Sequence, residues 1–533
     1  TVLVWRVQGP VPEQRQPELL TLSSHARTNS VASLYRGFRA ARSDDSVRGL
    51  ALYVRDAGFG LAKAQEFRRQ IELLSDEGKF VECYFETVGE GTNGTLAYYL
   101  ASACDHVFLS PVGTVNLLGL YSASPFFRGT LEKLQVEPEF TAEGEYKSAA
   151  EQFTRTGYSG PAREALEAVL DGAYRQILEA VAAARDLPLE EVERLVDTAP
   201  HTADEALEAG LVDELLYPDE FRDRVEELAG GEPRLVHLDT FGPRARGSHR
   251  IAVVVASGTI VRGAGGTEPW TQERFLGSDD LTPIFRDLAE SPSIDAVVLR
   301  IDSPGGSALA SDLILRELQL LAEEKPVIVS MSDLAASGGY YIASRAHRIV
   351  AEPATITGSI GVVSGRFATE TFQRELLGIT YDAVARGENA GIWADPAPLE
   401  PNELDEIRAL NATIYQTFLE HVATGREMSL DQVEEVARGR VWIGADAHRL
   451  GLVDELGGLD RAVELAAEAA GLPEGEPRQL VYFPEPKGWL ELLLDERRPL
   501  LPATVRTLLE GLAPPVRGAL HAPPEVRALA RPF

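Results

Sequence analysis

Short apolar runs closed by glycine or acidic residues alternate along most of this chain with segments of helical period. Residues 3–11, LVWRVQGPV, and 251–260, IAVVVASGTI, are continuous apolar runs, the pattern of a parallel strand buried on both faces. Each is followed by apolar positions at helical spacing, in SLYRGFRAARSD and LTPIFRDLAESP, and then by a second run, GLALYVRD at 49–56 and AVVLRIDS at 296–303. The helical segments AKAQEFRRQIELLSDEGK and ALASDLILRELQLLAEEK lead in turn to the strands FVECYFE and PVIVSMSD. This order predicts an α/β chain, with parallel sheets covered by helices.

The pattern occurs twice. Residues 98–120, YYLASACDHVFLSPVGTVNLLGL, match residues 340–362, YYIASRAHRIVAEPATITGSIGV, so that Tyr98, Ala101, Pro111 and Gly119 fall on Tyr340, Ala343, Pro353 and Gly361. Farther on, Tyr174, Glu179 and Arg185 fall on Tyr415, Glu420 and Arg426, and each copy closes with GLVDEL. A chain of 533 residues exceeds one hydrophobic core. The expected division is two tandem domains, 1–228 and 251–480, joined by a Gly/Pro/Arg-rich linker at 229–250. Residues 481–533 form a Pro-punctuated, leucine-rich tail with a helical stretch around Trp489, Leu492 and Leu493. That helix is expected to pack back on its own domain, or else on a membrane or a neighbouring subunit.

A formal charge of −31 without any basic run excludes nucleic acid as a partner. No run approaches the roughly 18 apolar residues of a membrane span. The two cysteines, Cys83 and Cys104, lack metal-ligand or CxxC spacing and are expected as buried structural thiols.

The two copies differ where chemistry is concerned. Ser337 lies in AASGGY, between a strand and an apolar helix, and its slot in the first copy holds Thr95. Glycines around a serine there allow a sharp turn, and the amide of Gly338 at the helix start would face a developing oxyanion. The same serine would also serve as a plain helix N-cap, so the string leaves both roles open. DSPGGS at 302–307 ends a strand, where open parallel sheets build their sites, and its Gly pair could present a backbone N–H or simply make a turn. In the first copy the slot of Gly305 holds Phe59. Lys147, in GEYKSAAEQF of the first copy, faces Ala390 of the second. A lysine acts as a base at neutral pH only if burial lowers its pKa from about 10.4. His347 and His421 have no carboxylate at a suggestive position, and His347 is expected on the surface of the helix after Ser337.

AASGGYY with SPGG upstream, TGSIGV downstream and GRVWIGADAHRLGLVDELGGLDRA near the end resembles the signal peptide peptidase A family of serine peptidases, also called protease IV. GEYKSAAEQFTR resembles the lysine segment of that family's long, tandem-repeat form, and the likeness covers roughly residues 1 to 480. The resemblance implies two tandem crotonase/Clp-protease-like domains, each a ββα superhelix. It implies Ser337 as nucleophile, Lys147 as general base and Ser359 as the serine that orients the lysine. Oxyanion-hole amides would come from Gly338 and the SPGG glycines, Gly306 in preference to Gly305. Leu117 fills the Ser359 slot in the first copy. The resemblance further implies no cofactor and no metal, apolar unfolded peptides such as remnant signal peptides as substrates, and a homotetramer. It also implies a place at the bacterial inner membrane, with the catalytic domains on the periplasmic side and an N-terminal anchor outside this chain. Two other readings remain open. An acyl-CoA hydratase or isomerase of the crotonase type would need neither Ser337 nor Lys147, and a membrane-associated scaffold would need no chemistry.

Overall fold

The computed structural model describes residues 1–15, 29–242, 247–268, 271, 273–473, 476 and 478–485. Its two halves each build a separate mainly parallel sheet from the apolar runs. In the first half the spatial order is Glu214–Leu215, His106–Leu109, Phe80–Phe85, Gly49–Val54, Val2–Val7, Leu235–His237, with every pairing parallel. In the second it is Val441–Ile443, Ile356–Gly358, Val327–Ala336, Ala296–Ser303, His249–Ser257, Arg478–Phe483, and Arg348–Ala351 and Glu455–Leu456 extend the sheet from Val327–Ala336. Helices cover the faces, so the strands are buried on both sides, which is why they read as unbroken apolar runs. Trp5 anchors the first core, with its ring 5.9 Å from Phe38 and 5.1 Å from Phe67.

Several expectations change. The stretch 229–250 is not only linker: Leu235–His237 pairs with Val2–Val4 as an edge strand of the first sheet, and the first strand of the second half starts at His249. The boundary expected at 480 falls inside the strand Arg478–Phe483, which pairs with His249–Val254 and closes that edge of the second sheet. The tail helix around Trp489 lies outside the described residues. Cys83 and Cys104 are joined by a disulfide instead of being free thiols. The strand Phe80–Phe85 and the turn after the helix Thr95–Ala101 bring their Cα atoms to 6.0 Å, a proximity that a sequence separation of 21 does not reveal.

The halves meet through charge and through a shared strand pair. Arg300, almost wholly buried, donates to Glu13 at 2.9 Å and Glu66 at 2.7 Å, both from the first half. Burial alone would raise the Glu13 pKa, but Arg300 and Lys63 outweigh it and hold the carboxyl down at about 2. Lys63 donates to Asp302 at 2.7 Å, just before the SPGG turn. Asp333, on the strand that leads to Ser337, accepts from the amides of Gly60 and Lys63, each at 2.9 Å, and so caps the first-half helix Leu61–Asp76. Separately, Glu137–Glu143 of the first half runs antiparallel to Val362–Ala368 of the second, with Glu143 opposite Val362. Phe140, Phe153 and Phe367 pack together over this pair, with ring centroids 5.3 to 5.9 Å apart.

Candidate active site

Ser337 occupies the residue between the strand Val327–Ala336 and the helix Gly338–Ala343, at φ 53° and ψ −119°. Non-glycine residues rarely adopt positive φ, and they persist there only where the surroundings hold them. Here the Ser337 amide donates to Gly358 O at 2.9 Å, and the Ser337 carbonyl accepts from the Tyr341 amide at 2.8 Å. The side chain makes no capping hydrogen bond, which removes the plain N-cap reading. It points instead at Lys147, whose Nζ lies 3.0 Å from Ser337 Oγ.

The SPGG turn sits directly beside this serine. A β-carbon on Gly305 would stand 2.5 Å from the Gly338 nitrogen and 2.8 Å from Ser337 Cβ. The Gly305 amide is engaged, donating to Ser303 Oγ at 3.1 Å. Gly306, at φ 150°, presses against Ile260, whose carbonyl would lie 2.1 Å from an added β-carbon. The Ile260 bridge uses Gly305 O and the Ser307 amide, so the Gly306 N–H meets no backbone acceptor among the described residues. Gly338 opens its helix, where the N–H has no intrahelical acceptor. Gly306 and Gly338 therefore supply two free amides next to Ser337, and Gly305 does not.

Lys147 arrives from the other half. Only Gly144, Glu145 and Tyr146 separate it from the end of the strand Glu137–Glu143, so the cross-half pairing with Val362–Ala368 delivers it to the Ser337 side. Its loop is locked from the second half: the Tyr146 amide donates to Arg438 O at 2.9 Å. Gly439 packs so tightly under the lysine that an added β-carbon would lie 2.5 Å from Lys147 N. Nζ donates to Ser359 O at 2.8 Å and lies 3.0 Å from Ser359 Oγ. Ser359 itself sits at φ 52°, with its amide donating to Arg440 O at 2.7 Å.

Burial lowers the Lys147 pKa to about 8, and no other influence contributes. No carboxylate among the described residues forms an ion pair with it. Lys63 is the contrast: it is equally buried, but Glu13, Asp302 and Asp333 outweigh its burial and raise its pKa. The two lysines show why neighbours as well as depth decide whether a buried amine is a base.

The corresponding slots of the first copy are filled. Thr95 Oγ1 accepts from the Gly119 amide at 3.0 Å, Leu117 is fully buried, and Phe59 packs on Phe67 at 5.4 Å. His347 is exposed as expected but lies past the end of the helix, accepting from the Val327 amide at 3.1 Å. His421 does have a carboxylate partner, Asp312 at 3.3 Å, and Tyr341 touches both, its hydroxyl donating to Asp312 Oδ1 at 2.8 Å and its ring lying 5.2 Å from the His421 ring. Neither histidine is bonded to Ser337. Sequence reasoning passed over Tyr146, Gly439 and Arg440, although Arg440 stands in the GRVWIG string, because their value lies only in what they touch across the interface.

The family model for peptidase family S49 matches residues 82–232 and 319–473, with Lys147 in the first stretch and Ser337 and Ser359 in the second. "Serine protease SPPA, chloroplastic" from Arabidopsis thaliana is 37% identical over 91% of this chain and 72% of its own length. "Protease 4" from Salmonella typhi is 31% identical, covering 91% of this chain and 80% of its own, and "Protease 4" from Haemophilus influenzae is 33% identical over 80% and 71%. Among solved structures, a point mutant of ClpP1 from Listeria monocytogenes overlaps 40% of this chain and 94% of its own at 15% identity, with a TM-score of 0.26. On the two matched stretches and the relatives that span most of its length, the chain belongs to peptidase family S49 and is a serine protease.

Proposed function

We propose that Ser337 is the nucleophile of this protease and Lys147 its general base, a dyad assembled across the two halves. The observation that carries this reading is a buried, carboxylate-free amine 3.0 Å from a strained serine hydroxyl. In its neutral form Nζ has two N–H donors and one lone pair. Ser359 O and Ser359 Oγ accept the two donors, which turns the lone pair toward the Ser337 hydroxyl. Lys147 takes that proton as Ser337 Oγ attacks the scissile carbonyl, and the Gly306 and Gly338 amides receive the negative oxygen. The ammonium then returns the proton to the leaving amine. Water, deprotonated by the same lysine, hydrolyses the acyl-enzyme.

The proposed substrates are apolar, unfolded peptides, remnant signal peptides among them, cut by a homotetramer on the periplasmic side of a bacterial inner membrane. No described helix is long and apolar enough to cross a membrane, so attachment would come from outside these helices. Exposed apolar side chains on and after the cross-half strand pair, Phe367, Leu376, Leu377 and Trp393, support contact with such chains or with a second copy. The test is labelling by a fluorophosphonate together with hydrolysis of a fluorogenic apolar peptide. Ser337→Ala should abolish both, and Lys147→Ala should abolish hydrolysis. Full peptidase activity in Lys147→Ala would sink the dyad, and acyl-CoA turnover that survives Ser337→Ala would favour the crotonase-type enzyme.

A further inference from the structure

Arg440 touches every part of the lysine's seat. Its backbone carbonyl accepts from the Ser359 amide at 2.7 Å. Its guanidinium lies between two aromatic rings, 4.8 Å from the centroid of Tyr146 and 4.5 Å from that of Trp442. Nη1 donates to Glu164 Oε1 at 2.5 Å, and the Tyr146 hydroxyl donates to the same carboxylate at 3.3 Å. Tyr146 is the residue before Lys147, and Glu164 lies in the first-half helix Gly160–Arg185. One second-half residue thus joins three parts: its side chain holds the lysine loop and a first-half helix, and its backbone carbonyl holds the Ser359 turn.

A surface ion pair alone would mean little, because exposed pairs contribute at most about 1 kcal/mol. The stacking is different: a planar guanidinium between two rings has a fixed orientation that an ammonium does not reproduce. We propose that Arg440 is a positioning residue for the general base: it clamps the Tyr146–Lys147 loop onto the Ser359 turn and keeps water from Nζ. The proposal rests on Lys147 being that base.

The direction of its effect follows from the groups around the loop. Glu145 and Glu434 share Arg438, at 3.4 Å and 3.9 Å, while Glu164 pairs with Arg440, so these three carboxylates face two guanidinium groups. Loss of the Arg440 clamp admits water and leaves Glu164 unpaired. Both changes favour the ammonium form of Lys147 and move the pH midpoint of activity upward. Tyr146→Leu removes a stacking face, and with it the hydroxyl's hydrogen bond to Glu164, without changing the formal charge and with the Arg440–Glu164 pair kept.

The experiment compares wild type, Arg440→Met, Arg440→Lys, Tyr146→Leu and Lys147→Ala on a fluorogenic apolar peptide from pH 6 to pH 10, with active sites counted by fluorophosphonate. Arg440→Met should lower kcat by about tenfold or more, since misplacement of a catalytic group by about 1 Å can cost about a hundredfold, and leave KM within about threefold. Its midpoint should rise by at least about half a pH unit, with a smaller rise in Tyr146→Leu. Arg440→Lys should stay closer to Arg440→Met than to wild type. Wild-type kcat and midpoint in Arg440→Met overturn the proposal, as does full restoration by lysine. If Arg440→Met does not fold, Tyr146→Leu decides, and a wild-type midpoint there overturns the proposal. An active Lys147→Ala strikes at the dyad itself, whereas an inactive one beside an unaffected Arg440→Met strikes only at the clamp.

Discussion

The charge state of Lys147 should be visible in both activity and stability, and both should be lower below pH 8 than above it. Burial moves its pKa from 10.5 to about 8. At about 1.4 kcal/mol per pH unit, holding the ammonium in this site costs about 3 kcal/mol more than in water. The side chain is only 8% exposed, so solvent screening takes little from that figure. With a midpoint of about 8, about one-tenth of the enzyme carries the neutral base at pH 7 and about nine-tenths at pH 9, so kcat/KM should rise about tenfold across that interval. The unfolded chain binds the proton more tightly than the folded one, so this lysine makes stability increase as pH rises from about 8 to about 10.5. Below that window the penalty is fully present. Lys147→Met removes it, so its stability advantage over wild type should shrink by about 3 kcal/mol between pH 7 and pH 11. Urea melts of both proteins at the two pH values measure this, and hydrolysis of an apolar fluorogenic peptide from pH 6 to pH 10 gives the activity limb. A flat activity profile with a pH-independent stability difference would refute the assignment of a buried, neutralisable lysine.

Two further outcomes follow from the surroundings of the site. Ser359→Ala removes one of the two acceptors that turn the Lys147 lone pair but leaves the Ser359 carbonyl, so kcat should fall by about five- to thirtyfold, equivalent to about 1–2 kcal/mol, with KM little changed in steady-state assays. Lys63→Met strips the shared cation from Glu13, Asp302 and Asp333 and should destabilise the chain by about 3–5 kcal/mol in urea melts. A loss under about 1 kcal/mol would mean that water already satisfies those carboxylates.

Much of the architecture is legible without coordinates because strand burial on both faces leaves a local signature. The runs at 49–56 and 296–303 become Gly49–Val54 and Ala296–Ser303 with little adjustment. The edges are not legible. Leu235–His237 is three residues long and half-exposed, so it carries no apolar run to betray it, and only the open side of Val2–Val7 makes it a strand. Cys83 and Cys104 carry no pairing signal for the same reason: their proximity depends on how a helix returns against its strand.

The duplicated pattern, the serine in one copy and the lysine in the other are properties of the sequence itself. So is the loss of glycine at Phe59 and of serine at Leu117 in the first copy, since those are identities at matched positions. Composition and spacing alone leave Ser337 as either cap or nucleophile and Lys147 as an ordinary surface lysine. The family resemblance named their roles, but it does not supply a distance. Tertiary structure supplies what the proposed roles require, because a lysine becomes a base only through burial without a counter-charge, and both conditions are set by residues far away in the chain. The strand pair 137–143 with 362–368 brings Lys147 across 190 positions to Ser337, while the carboxylates of Glu13, Asp302 and Asp333 gather around Lys63 instead.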